Sequence, residues 1–63
     1  MKITLKALRI NRNLTQKQAS ELLGISLPTY QRWEYNPSKI KKVYREKIAQ
    51  VFKTPIEMFE WCE

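Results

Sequence analysis

Sixty-three residues make one domain, close to the lower size limit for a chain that folds without a metal or disulfides. The chain has no histidine, no aspartate, one glycine and one cysteine, and so lacks the parts of a histidine-based triad, a Cys/His metal site, a glycine-rich phosphate loop or an internal disulfide. It carries a net charge of +6, and no stretch approaches the ~20 apolar residues of a membrane span. The lysine- and arginine-broken start, MKITLKALRI, is equally unlike a secretory signal.

Beyond residues 2–5, apolar residues recur at three- and four-residue spacing, which predicts helices. Thr4 is placed to cap a first helix near 4–12 carrying Leu5, Leu8 and Ile10, with Asn13 and Leu14 as its exit. Thr15 opens Thr-x-x-Gln with Gln18, a capping box that starts a second helix. That helix turns Ala19, Leu22 and Leu23 to one side and stops at Gly24, the residue type suited to a left-handed helix end. Ile25 follows as a buried hinge, and Ser26 caps a third helix near 27–34. Pro28 falls at its second position, where a missing N–H costs little. Tyr30 and Trp33, three apart, face the core. Tyr35 to Ile40 read as a loop, and a fourth helix near 41–52 buries Tyr44, Ile48, Val51 and Phe52. Thr54-Pro55-Ile56-Glu57 is a second capping box, opening a short fifth helix with Ile56, Phe59 and Trp61. The expectation is one all-α domain over residues 1–63, without linker or repeat.

The charge is unevenly placed. Residues 1–17 carry five positive charges and no negative one, and residues 35–53 carry six positive and one negative. The last ten residues hold Glu57, Glu60 and Glu63 and no positive charge. One basic surface for a polyanion, with an acidic end turned away, is one reading; a solvated lysine-rich exterior is the other. The three glutamates stand at helical spacing and read as a solvated face or a partner contact. Cys62 reads as an incidental exposed thiol, since neither a base nor a second cysteine accompanies it. The seven aromatic residues fall mostly on helical core spacing, which leaves no sheet platform for stacking RNA bases.

Residues 15–34 resemble the helix-turn-helix of the phage repressor and Cro proteins, the Xre family. Leu14-Thr15-Gln16, Ala19, the Gly24-Ile25-Ser26 turn, Tyr30 and Trp33-Glu34 carry the resemblance. Leu5-x-x-Leu8-Arg9 and Ile48-Ala49-x-Val51 extend it to both sides, so that it covers nearly the whole chain. The identities also make physical sense: Ala19 is small where two helices cross, and Leu23, Ile25, Tyr30 and Trp33 form the wedge between them. The resemblance implies a compact five-helix, lambda-repressor-like domain whose third helix enters the major groove of DNA. It also implies an ion pair between Arg9 and Glu34, joining the first helix to the end of the third. Tyr35-Asn36-Pro37 departs from the family's usual turn after Trp-Glu, so an exit loop of different shape is expected.

On the third helix the outward stripe is Leu27, Pro28, Gln31 and Arg32. Leu27 and Pro28 can pack on thymine methyl groups, or alternatively serve packing or a protein interface. Arg32 can grip guanine through two hydrogen bonds, worth ~1–3 kcal/mol of discrimination. Gln31 can reach adenine or a phosphate, and Thr29 either. Gln16 matches a family position that bonds phosphate, aided by a helix N-terminus. Lys17, Ser26, Asn36, Lys39, Lys41 and Lys42 are the remaining phosphate candidates. Ile56, Met58, Phe59 and Trp61 either close the monomer core or offer a surface for a weak homodimer completed on a twofold operator. These expectations describe a cytoplasmic transcriptional regulator of a bacterial or phage-infected cell that binds double-stranded DNA, without a cofactor, membrane contact or enzyme activity. The rival is the same fold used as a protein-interaction module, such as an antirepressor bound to a repressor.

Overall fold

A computed structural model describes residues 2–61. Among them are four α-helices: α1 (Leu5–Asn11), α2 (Gln16–Leu23), α3 (Leu27–Tyr35) and α4 (Lys42–Val51). Two 3-10 turns, Pro37–Lys39 and Ile56–Met58, precede and follow α4.

Local chemistry sets the first three boundaries. Thr4 Oγ1 accepts from Ala7 N at 3.1 Å, satisfying a free N–H of the first turn of α1. At α2 the capping box is complete: Thr15 Oγ1 accepts from Gln18 N at 3.0 Å and Gln18 Oε1 accepts from Thr15 N at 2.8 Å. Ser26 caps α3, with Pro28 in its first turn. Asn13 takes a left-handed φ of 58° at the exit of α1, a conformation asparagine tolerates.

Gly24 ends α2 at φ 70°, ψ 33°. A Cβ there would approach only the flexible end of Lys47, at 3.4 Å, so space is not the constraint. Gly24→Ala should therefore cost only the left-handed penalty, about 1 kcal/mol. Urea unfolding measures it, and a loss beyond about 2.5 kcal/mol would mean that the α2–α3 crossing had moved.

The core gathers Leu5, Leu8, Ala19, Leu23, Tyr30, Trp33, Ile40, Ile48, Phe52 and Phe59. Ala19 is fully buried, as a close crossing of α2 and α3 demands. Arg12 adds a polar tie between the ends of α1 and α4: its Nη2 donates to Phe52 O at 2.6 Å while the guanidinium lies over the Phe52 ring.

Three expectations are corrected. Leu22 is 53% exposed, because the stripe through Ala19 and Leu23 faces α3 and leaves Leu22 a full residue-step around the helix. Tyr44 is half-exposed; it lies against Trp33 at the edge of the core, ring centroids 5.2 Å apart. The fifth helix does not form. Thr54 does not cap it: its hydroxyl donates instead to Phe52 O at 3.0 Å, behind it in the chain. A segment this short gains too few internal bonds to offset helix nucleation. It gains others by running alongside the N-terminus, where Ile3 N donates to Met58 O and Glu60 N to Ile3 O, each at 2.8 Å. This parallel bridge pairs Ile3 with Phe59. Glu57 and Glu60 thus do not share a helix face, and Glu63 and Cys62 lie outside the described residues.

Candidate nucleic-acid interface

α3 is gripped from behind. Tyr30 and Trp33 anchor its inner side in the core, 0% and 7% exposed. At its far end Glu34 receives two side chains, Arg9 Nε at 2.6 Å on Oε2 and Gln16 Nε2 at 3.0 Å on Oε1. Arg9 also donates through Nη1 to Leu14 O at 2.7 Å, so one guanidinium ties α1, the α1–α2 turn and α3 together. The pair is well shielded, with side chains 12% (Arg9) and 5% (Glu34) exposed.

The electrostatics follow from that geometry. Burial works to raise the Glu34 carboxyl, but Tyr30, Arg9 and Gln16 outweigh it and hold the group below the ordinary carboxylate range. The Arg9 guanidinium is pushed higher still, first by its hydrogen bond to Glu34. Burial, then the neighbouring carboxylate, pushes the Tyr30 hydroxyl well above its usual value. That hydroxyl makes no well-formed hydrogen bond among the described residues, yet lies close enough to Glu34 to favour the charged carboxylate.

The outward side of α3 presents Pro28, Gln31, Arg32 and Tyr35, all exposed, with Leu27 and Thr29 half-buried at its margins. Gln31 is not free to rotate: its Nε2 donates to Gln16 Oε1 at 3.2 Å, completing a chain Arg9–Glu34–Gln16–Gln31 from the core to the surface. Its own carbonyl oxygen and second N–H remain for an outside ligand. Thr29 Oγ1 accepts from Ser26 Oγ at 2.8 Å.

The arginines divide sharply. Arg9 and Arg12 donate to groups inside the fold, and Arg45 donates to Ile40 O and Ser38 O. Among the arginines, only the Arg32 side chain makes no hydrogen bond or ion pair among the described residues. Two of the five N-terminal positive charges are therefore tied to internal acceptors, whereas the guanidinium without an internal partner sits on α3.

The structure sorts the phosphate candidates into groups. Ser26, Lys39 and Lys41 line one cleft with Thr29, Trp33 and Tyr44, beside the start of α3. Lys42 lines a different groove with Glu46, Gln50 and Lys53. Asn36 faces a third with Thr4, Lys6 and Glu60, and its Oδ1 accepts from Ser38 Oγ at 2.9 Å. Lys17 is exposed on α2, and Gln16 is half-buried under Gln31.

The suggested dimer or partner surface is largely consumed by the monomer. Phe59 is 1% exposed and Trp61 stacks on it, ring centroids 4.8 Å apart, with its Nε1 donating to Ile56 O at 3.3 Å. Ile56 is half-buried, and only Met58 stands 44% exposed. Among the described residues this segment forms a 3-10 turn, not an α-helix.

Two residues escaped the sequence reading. Tyr35 closes α3 instead of opening a loop, and is 89% exposed. Its four-residue spacing from Gln31 was the available signal. Arg45 carried no signal at all, since its partners are backbone carbonyls of a neighbouring loop.

No helix of the structure is long and apolar enough to cross a membrane. Compared with known proteins, residues 5–59 match a family model described as helix-turn-helix. A type II methyltransferase, M.MspI from Moraxella sp, is 36% identical over 56 residues, which is 89% of this chain but 13% of that enzyme. No solved structure matches the chain significantly.

Proposed function

The chain belongs to the Xre/Cro-like helix-turn-helix family, and from that premise we propose that it is a sequence-specific regulator of transcription that binds operator DNA. α3 enters the major groove, where Arg32 reads guanine, Gln31 reads adenine, and Leu27, Pro28 and Thr29 sense thymine methyls or neighbouring edges. Lys39, Lys41 and Ser26 take a phosphate beside the start of the helix, with Gln16, Lys17 and Asn36 as further backbone candidates, while Lys42 lines a separate groove. Arg32 carries the reading: it is the one arginine left uncommitted, on the exposed side of a helix gripped at its other side and its end. The protein acts in the cytoplasm by occupying DNA, without catalysis or cofactor. The likeness to a methyltransferase spans too little of that enzyme to bring methyl transfer with it.

A domain of this size grips few base pairs, so two copies would sit about 34 Å apart on an inverted repeat. With the C-terminal surface mostly spent, dimerisation is weak in solution and completed on DNA. The second reading, a protein-interaction module of the antirepressor kind, draws support from Ile10 and Leu22, large apolar side chains 55% and 53% exposed.

Selection from a random duplex library separates the two. Enrichment of one motif is expected, and Arg32→Ala should lose about tenfold of the preference at a guanine while nonspecific affinity stays near wild type. Sequence-blind binding that disappears near physiological salt would sink operator recognition and turn attention to a protein partner.

A further inference from the structure

Arg45 lies in the middle of α4, outside the outward face of α3, yet its side chain is engaged on three sides. Nε donates to Ile40 O at 2.8 Å and Nη2 to Ser38 O at 3.4 Å. The guanidinium lies 5.1 Å from the centroid of the Trp61 ring. The two carbonyls bracket Lys39, and the segment they belong to also carries Lys41, so both lysines of the cleft beside α3 hang from it. That segment has other restraints besides: Ser38 Oγ donates to Asn36 Oδ1 at 2.9 Å, and Lys41 O accepts from the backbone N–H groups of Tyr44 and Arg45. Its 3-10 turn supplies Lys39 N to Asn36 O and Ile40 N to Pro37 O, the Ile40 side chain is buried, and Lys41 gives α4 no side-chain cap.

We infer that Arg45 is a positioning residue for DNA binding: it holds segment 38–41 in the shape that brings Lys39 and Lys41 to a common phosphate, with Trp61 steadying the guanidinium. The inference rests on the DNA-binding reading above. A planar fork suits the task because two carbonyls two residues apart need donors at fixed directions, which an ammonium on a flexible stem does not provide. Direct contact between Arg45 and phosphate is the competing explanation. It is disfavoured because the guanidinium already meets two internal carbonyls and one indole face.

The test is fluorescence anisotropy with R45M, R45K, K39Q/K41Q and each Arg45 change in the K39Q/K41Q background, on a selected duplex and an unrelated one. R45M and R45K should each weaken both duplexes by about tenfold and leave their ratio unchanged, since the lysines supply affinity without sequence choice. In the K39Q/K41Q background the further loss should shrink to about twofold or less, because residues acting through one another do not add. Wild-type affinity in R45K would assign the role to charge alone and overturn the inference, as would a full tenfold loss in the double-lysine background. If circular dichroism shows R45M unfolded, R45K in the two backgrounds decides by the same criteria. Wild-type protein that binds neither duplex defeats the DNA reading and this inference together; wild-type binding with unaltered Arg45 variants defeats only the inference.

Discussion

Glu34→Ala should remove about 3 kcal/mol or more of folding stability, a large share of what a chain of this length holds. The reason is what the substitution strands. Arg9, 12% exposed, would keep its charge with only Leu14 O as partner, and Gln16 would lose the acceptor that fixes its amide. A fall in Tm on the order of 15 °C is expected, read by circular dichroism. Glu34→Gln keeps the size and an acceptor oxygen, so it should cost less and show the charge-dependent part separately. That part has a definite pH signature. The folded-state pKa of Glu34 lies below its ordinary value of 4.5, so its stabilisation is complete above that pH and is lost as pH falls through the folded value. Wild-type stability should therefore decline below pH 4.5 more steeply than that of Glu34→Gln. Parallel acid profiles for the two proteins would refute the assignment.

Lys39→Gln with Lys41→Gln should weaken binding to every duplex by about thirtyfold near 0.15 M salt, and lower the slope of log affinity against log salt by about 2. Both lysines line the cleft at the start of α3, with Ser26 and Thr29 beside them. Lys42→Gln is the internal control. Lys42 lines a separate groove, next to Glu46, so its removal should leave the slope nearly unchanged. Titrations across a salt series decide between a local phosphate seat and a diffuse basic surface. Equal slope losses for all three lysines would favour the diffuse surface and count against the cleft.

The residues that carry short-range chemistry were legible without coordinates. Thr4, Thr15, Ser26 and Gly24 act within three or four positions of themselves, and the structure shows each at the helix boundary expected of it. The inward pair Tyr30 and Trp33 was legible for the same reason, since helical periodicity alone sets their common side. Thr54 looked identical in kind and behaved differently. Its Thr-Pro-Ile-Glu pattern satisfies a capping box on paper, but the local preference competes with two backbone hydrogen bonds to Ile3, more than fifty residues away, and loses.

The division therefore follows the range of the forces. The sequence by itself determined the helix-turn-helix, its caps, the inward pair Tyr30 and Trp33 and the family, because those depend on neighbours one helical turn away. Tertiary structure decided which charges face outward. Eight lysines and four arginines look interchangeable in a string, but packing turned Arg9, Arg12 and Arg45 onto internal acceptors and left Arg32 exposed. It also decided that the aromatic C-terminus closes the core instead of forming a helix, and that Lys39 and Lys41 share a cleft while Lys42 does not. A guanidinium's partner is set by which backbone carbonyls approach it in space, and that proximity exists only once the helices have packed.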